Sequence, residues 1–508
     1  MSPSARFLSK SGYLSGRQCA KKLWIETQRP ERVPVTSAAT QAIFDEAHLV
    51  GELARELFPG GIAFDRTELD WSQAIAATRE AMRLRLPLYE PAFEHQGAAC
   101  RADILVPVEA PAGSPFRPGA AGGWDLYEVK SGSSPKLENV EDVAFQVFVL
   151  RGAGVALRRT HLVHLNSSYE RQGTLDVQRL FTVVDLTATI EPVVAAVAAR
   201  VAELRAVWSR SEEPQVAIGP HCDDPHDCAL IPYCWSGIPE ASVFTLTRAG
   251  RKKWELFARG VIDLAAIPDD FHLTGPQQIQ VLAACRGEPH IDLFALRGFL
   301  STLAYPLYCI DFETFAPAVP PFSGTRPYQA IPFQFSAHVI DGPGAEPRAA
   351  AFLAADASDR REEFLDELRR ALGELEEGGT LLAFNASFER ARIAELAALF
   401  PENAAWAERV KDSFVDLLLP FRNFDYYHPA QLGSASLKNV LPVLGTRGYE
   451  HLEIHGGEIA ARDFVRSTLV STPPEERDRI RAALLEYCGR DTEGMVEIVA
   501  ALERLVAQ

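Results

Sequence analysis

The sequence predicts an α/β protein in which two sheet-and-helix blocks, residues 1–240 and 301–508, flank a small helical connector at 241–300. Three observations lead there. Strand-period and helix-period patterns alternate within each block. The connector is close to electroneutral, whereas both flanks are acidic, in a chain of 508 residues with 51 Lys+Arg against 68 Asp+Glu and a formal net charge of −17. The composition, 47% hydrophobic and 23% charged, is globular rather than disordered. At roughly 100–200 residues per domain, each block is long enough to bury its own core.

The same numbers exclude several classes. No apolar run reaches the roughly 18 residues of a membrane span. The opening Met1-Ser-Pro-Ser-Ala-Arg-Phe-Leu-Ser-Lys10 lacks the apolar core of a secretory signal, so the expected location is the cytoplasm. Eight cysteines are too few for a disulfide scaffold, yet Cys222, Cys228 and Cys234 are bunched. In a reducing compartment such a bunch points to metal or cluster ligation. Cys100, Cys285, Cys309 and Cys488 read as buried or incidental thiols. The acidic balance argues against nonspecific coating of nucleic acid but permits local binding at carboxylate metal sites.

In the first block, residues 102–108 and 124–130 alternate as paired strands, separated by the turn-rich Pro/Gly stretch 111–123. A helix follows at 140–150 and a further strand at 161–165. Asp103 lies on the first strand, and in Glu128-Val-Lys130 the alternation sends Glu128 and Lys130 to one face of the second. Two carboxylates can hold a divalent ion, while a nearby lysine positions water or neutralises developing charge. His48, in a helical pattern upstream, is a further candidate ligand, and Gln146 a candidate contact to substrate or water.

The connector carries two helical patterns, near 254–262 and 277–285, the first preceded by Arg248, Arg251, Lys252 and Lys253. In the second block, strands are expected at 307–311, 332–340 and 380–384, with helices at 361–372 and 387–399. Asp311-Phe-Glu313 follows an apolar strand, and alternation puts both carboxylates on one face. Tyr487-Cys-Gly-Arg-Asp491 lies in a helical pattern, where four-residue spacing aligns the hydroxyl and the carboxylate. Between them Asn385-Ala-Ser-Phe-Glu389 runs from a strand end into a helix, and Asp416 is a candidate auxiliary carboxylate. Carboxylates gathered around two divalent ions, with a tyrosine to orient or activate water, suit phosphodiester hydrolysis. Oxygen-only ligation suits Mg²⁺ or Mn²⁺.

This second set resembles the DEDD 3′–5′ exonucleases of ribonuclease-H-like fold, in particular the tyrosine-bearing class with the polymerase proofreading domains. The match covers residues 301–508: Asp311-x-Glu313, Asn385-x-x-Phe388-Glu389 and Tyr487-Cys-x-x-Asp491. Glu389 stands where that family usually has Asp, one methylene shorter. The resemblance implies metal ligation by Asp311, Glu313, Glu389 and Asp491, with Tyr487 catalytic. Residues 317–335, which follow the first motif, are similar to an uncharacterised bacterial family that joins such a domain to an upstream nuclease-like one.

The first set, His48, Asp103, Glu128-x-Lys130 and Gln146, resembles the PD-(D/E)xK nucleases. Within them it is similar to the iron–sulfur RecB-type enzymes that include the CRISPR-adaptation exonucleases. Leu150 stands where that family often has tyrosine. The resemblance implies metal ligation by His48, Asp103 and Glu128, catalytic roles for Lys130 and Gln146, and a [4Fe–4S] cluster on Cys19, Cys222, Cys228 and Cys234. The even five-residue gaps between the last three differ from the family's tighter spacing. Zinc, with His221 or His226 replacing a thiol, is the alternative at this stage. Together the resemblances imply a DNA nuclease of repair or defence against foreign DNA, acting on single-stranded ends. RNA digestion, or an N-terminal domain that only binds nucleic acid, are the alternatives.

Overall fold

The structure is a computed structural model and describes residues 7–64, 69–108, 122–373, 375 and 378–508. The Pro/Gly stretch 111–123 lies, apart from its last two residues, outside them. The chain is a mixed α/β protein forming two compact units, Met1–Gly237 with Pro317–Tyr328, and Ile238–Ala316 with Gln329–Gln508. No described helix is long and apolar enough to cross a membrane.

In the N-terminal unit a six-stranded sheet runs β1 (Ile62–Ala63), β2 (Leu88–Tyr89), β3 (Ile104–Pro107), β4 (Trp124–Lys130), β5 (Leu157–Leu165) and β6 (Phe181–Asp185), in that spatial order. Strands β3 and β4 are antiparallel, whereas β4 and β5 are parallel. A parallel pair needs a crossover, here the helix Leu137–Gly152. Along β4 the side chains alternate so that Trp124 and Leu126 enter the core against Val143 and Phe145 of that crossover helix. Glu128 is the next residue on the same buried face. The apolar face of the strand therefore ends in a carboxylate, under the helix that carries Gln146.

A smaller sheet orders Leu8–Ser9, Ala98–Arg101 and Ala92–His95 side by side. Directly after its first strand, α1 (Lys10–Gln18) begins, with the Ser9 hydroxyl accepting from the Gly12 N–H at 3.1 Å. We call the crossover helix Leu137–Gly152 α2 and the long helix Thr187–Trp208 α3. Gly16 lets α1 lie close to α3, since a Cβ there would come 2.7 Å from Leu204 Cδ2. Pro317–Tyr328 belongs to this unit: Ala318 packs with Val50, Ala54 and Val163, and Arg171 donates to the Pro320 and Pro321 carbonyls at 2.9 Å each.

The C-terminal unit is built on β7 (Leu307–Phe315), β8 (Ile331–Ile340), β9 (Arg348–Leu353), β10 (Thr380–Ala383) and β11 (Phe414–Asp416). Their order is β9-β8-β7-β10-β11, with β7 central, antiparallel to β8 and parallel to β10. Alternation divides β7 between two layers. Phe312 meets Phe364 edge-on in one layer, while Asp311 faces Cys488 on the long helix Pro474–Ala507 in the other. The register shifts between Glu313 and Thr314, past the second carboxylate.

The expected connector 241–300 is corrected: it is part of the C-terminal unit rather than a separate segment. Its strand His290–Ile291 pairs antiparallel with Tyr426–Tyr427, and Ile279 and Ala283 pack on Phe424 and Tyr427. Those apolar contacts remove the solvated surface that an independent linker would keep.

Candidate functional site

Asp311 and Glu313 are carried by the central strand, and Tyr487, Cys488 and Asp491 by one face of the helix across it. Asp311, Glu313 and Cys488 each offer one ligand atom within 4.8 Å of the others. Glu389 enters from the first turn of α4 (Ser387–Leu399), where its Oε2 is buried without a hydrogen-bond partner. Burial, then Asp491, Glu313 and Glu389, push the Asp311 carboxyl well up. Burial and Asp491 push Glu313 up to about 8, burial and Asp416 push Glu389 up to about 8, and burial pushes Asp491 up to about 6. An orphaned buried oxygen amid carboxylates that resist ionisation together is a donor set suited to hard cations.

Tyr487 is buried beside them, and burial, then Asp491 and Glu313, raise its hydroxyl, so it is a neutral phenol near neutral pH. A second buried tyrosine, Tyr449, donates its hydroxyl to Asp491 Oδ1. Lys438 stands over both rings, 5.5 Å from the Tyr487 centroid and 5.9 Å from that of Tyr449, and donates to the His455 carbonyl at 2.6 Å. Asp416 serves the backbone, accepting from the Asn385 N–H at 2.9 Å and the Leu418 N–H at 3.0 Å.

The raised carboxyls make a stability prediction. Glu313 and Glu389 each move from an ordinary 4.5 to about 8 on folding, so their contribution is present below pH 4.5 and is lost as pH rises through 8. Thermal melts in chelator are expected to fall between about pH 5 and 8. Added Mg²⁺ or Mn²⁺ should restore most stability at the alkaline end. A midpoint that climbs with pH across that window contradicts the clustering.

In the N-terminal unit Glu128 is fully buried, and both of its oxygens accept hydrogen bonds. Oε1 accepts from Lys130 Nζ at 2.7 Å and Lys10 Nζ at 2.8 Å, and Oε2 accepts from Gln146 Nε2 at 2.7 Å. Gln146 also donates to Asp142 at 3.0 Å, leaving its own Oε1 buried without a partner. Asp142 further accepts from Lys130. Burial alone would raise the Glu128 carboxyl, but the ammonium groups of Lys10 and Lys130 outweigh it and hold Glu128 well below the usual range. Asp103 accepts from the Val129 N–H at 2.8 Å, and burial with Glu128 pushes it up to about 7. The structure thus gathers Asp103, Glu128, Lys130 and Gln146, but not His48. On its helix Ala38–Arg55 the inward face is Glu46, Val50 and Ala54 at four-residue steps. His48 lies about 200° from Glu46 around that helix. Its side chain is 69% exposed, with Nε2 3.6 Å from Glu52.

Cys19, Cys222, Cys228 and Cys234 line one cavity, walled by Leu230 and Ile231. None is in a disulfide. Cys19 ends α1, while Gln18 before it holds the opposite loop by donating to the His221 and His226 carbonyls at 3.1 and 2.6 Å. Burial raises the Cys228 and Cys234 thiols. Among the described residues only Asp311, Glu313 and Cys488 bring three ligand atoms within 4.8 Å of one another, so no three of these sulfurs do. Tetrahedral zinc, with bonds near 2.3 Å, needs thiolates about 3.8 Å apart. A cluster that binds each thiolate on a different iron takes the wider set. His221 also lines the cavity, whereas His226 turns to Glu138 at 3.0 Å.

Sequence reasoning missed Lys10, Asp142, Tyr449 and Lys438; Cys488, read as a buried or incidental thiol, is buried, and its sulfur lies 3.7 Å from Asp311 Oδ2. Asp142 had a signal, four residues before Gln146 on one helix face. The others are brought in by tertiary contact alone.

Residues 308–436 match a family described as a domain of unknown function, DUF2779. An uncharacterized protein of Mycoplasma genitalium is 27% identical over 140 residues, which is 25% of this chain and 21% of that protein. The match thus spans about a fifth of the relative's length. Neither description names an activity.

Proposed function

We propose that the chain is a divalent-metal-dependent nuclease that hydrolyses DNA from single-stranded ends. The C-terminal unit is read as a ribonuclease-H-like DEDD exonuclease working from 3′ ends, and the N-terminal unit as a PD-(D/E)xK nuclease stapled by a [4Fe–4S] cluster. The close approach of Asp311 to Glu313, with Asp491 and Glu389 near enough to raise the Asp311 carboxyl, beside a neutral tyrosine, carries this reading. The mixed sheet with D-x-E on its central strand fits it. So does the cavity lined by the four thiols of Cys19, Cys222, Cys228 and Cys234.

Mg²⁺ or Mn²⁺, when bound, lowers the pKa of water and neutralises charge on the departing oxygen. Asp311, Glu313, Glu389 and Asp491 would hold such ions, with Tyr449 fixing Asp491 by its hydrogen bond. Tyr487, protonated, orients water through its hydroxyl rather than abstracting a proton. Lys438 sets a positive charge at the rim, where a phosphate would approach. In the other unit Asp103 and Glu128 would hold the ion, and Lys130 offers its charge to the phosphate. A cytoplasmic role in DNA repair or defence against foreign DNA is consistent with this chemistry.

Tyr487→Phe is expected to slow C-terminal digestion about 100-fold while Mn²⁺ binding is unchanged. A loss of Mn²⁺ binding instead would make Tyr487 structural. The substrate is tested with labelled DNA and RNA of one sequence, in Mg²⁺ or Mn²⁺ and in chelator. Stepwise shortening of DNA only with the ion is expected. Shortening of RNA alone overturns the substrate class, and cutting in chelator overturns the metal dependence.

A further inference from the structure

The N-terminal site holds more positive charge than its motif requires. Lys130 is the motif lysine, yet Lys10 reaches the same Glu128 oxygen at 2.8 Å and lies 3.5 Å from Asp142 Oδ1. Lys130 bonds the same two carboxylates from its own strand. Two ammonium groups and two carboxylates therefore alternate in a closed ring, with Asp103 as the third acid beside it. Asp103, Glu128 and Asp142 outnumber the two ammonium groups, and Glu90 adds a further acid near Asp103. The C-terminal site differs: Lys438 acts on Glu313 and Asp491, Arg490 on Asp491 and Arg392 on Glu389, and no ammonium bridges two of its carboxylates among the described residues.

Lys10 is also held in place more firmly than a surface lysine. It is the first residue of α1, capped by Ser9 and only 24% exposed in its side chain. The helix is pinned along α2, the helix that carries Asp142 and Gln146. Tyr13 stacks on Phe145 with centroids 4.7 Å apart and donates to Glu141 at 3.2 Å. Strand, cap and helix packing together deliver this ammonium to Glu128.

We propose that Lys10 is a built-in cation of the N-terminal site, its ammonium taking the place of one metal ion, so that this site binds a single divalent ion. The inference rests on the nuclease reading of this unit. Lys10 is a positioning residue: it acts by neutralising and orienting Glu128 and Asp142. It also makes the ion stoichiometry of the two sites unequal, because the C-terminal carboxylates have no second lysine among the described residues that face them.

The test counts ions. Full-length protein carrying Asp311→Asn, Glu313→Gln and Asp491→Asn silences the C-terminal site, and adding Glu128→Gln gives the background. Mn²⁺ binding is followed by the paramagnetic resonance signal of the free ion, with thermal melts to verify folding. One Mn²⁺ above background is expected when Lys10 is present. Lys10→Met should admit a second ion or bind the first about tenfold or more tighter, because a unit charge beside the carboxylates is gone. Lys10→Arg, which keeps the charge, should behave as the parent. Should Lys10→Met fail to fold, Lys10→Gln keeps a donor toward Glu128 and carries the same expectation. Identical isotherms for the charged and uncharged variants overturn the role of Lys10 while leaving the nuclease reading intact. No Mn²⁺ above background in any of them overturns both.

Discussion

Asp311→Asn is expected to abolish the 3′–5′ digestion proposed for the C-terminal unit, by a thousandfold or more on the scale of about 4 kcal/mol of lost charge stabilisation. The substitution changes one oxygen to an amide and keeps the shape of the strand. Its effect on folding should run the other way. Asp311 is raised by burial and by three neighbouring acids, so in chelator its replacement removes a repulsive charge and the melting temperature should hold or rise. In Mg²⁺ the variant should lose the gain in midpoint that the unmodified protein shows. Lost activity with a raised ion-free midpoint is a signature that simple misfolding does not produce. A lower midpoint in chelator would mean that Asp311 is a structural acid.

With the proposed cluster in place, Cys222→Ser or Cys228→Ser should remove iron from the thiol cavity and cost the N-terminal unit several kcal/mol, because ligation and folding would then be coupled. The cavity joins Cys19 at the end of α1 to a loop two hundred residues away, held otherwise by Gln18 and a small cluster of Trp24, Ile25 and Leu230. Lys21 and Arg32 add ion pairs to Glu213, and Arg32 donates to the Tyr233 hydroxyl at 2.8 Å. Anaerobically purified protein should contain about four irons per chain and absorb broadly in the visible, and the serine variants should be colourless. Because Lys10 begins the helix that Cys19 ends, a loosened staple frees its ammonium from Glu128, so Mn²⁺ binding there should shift in the direction expected for Lys10→Met. One zinc per chain and no iron would contradict the cluster, whatever the stability.

Much of the fold was legible because period and burial coincide. The strand Trp124–Lys130 and the helices Arg361–Leu372 and Ser387–Leu399 have the bounds that alternation and helical spacing imply. Asp311, Glu313, Tyr487 and Asp491 were legible as a set because each sits on a regular element, whose geometry fixes which side chains share a face. What could not be read depends on pairing between distant segments. Tyr449 reaches Asp491 from an irregular stretch with no period of its own. Lys10 looks like any polar residue at a helix start until α1 is seen lying on α2. His48 shows the opposite failure: a ligand-type residue in a helical pattern carries no information about which face turns inward, and Val50 and Ala54 decided it. The segment Pro317–Tyr328 lies between two strands of one unit yet packs in the other, through Ala318 and the Arg171 hydrogen bonds. Sequence continuity gives no warning of that.

One gel tests the two proposed nuclease sites most directly. Single-stranded DNA labelled at the 5′ or the 3′ end is incubated in Mg²⁺ or Mn²⁺ with the anaerobically purified protein, with Asp311→Asn, with Lys130→Met and with the double variant. Two independent nuclease sites require that each single substitution remove a different product ladder and that the double variant be inert. If Asp311→Asn alone removes every product, the N-terminal unit does not cut. If the unmodified protein leaves both labels intact with either ion, the nuclease reading is wrong.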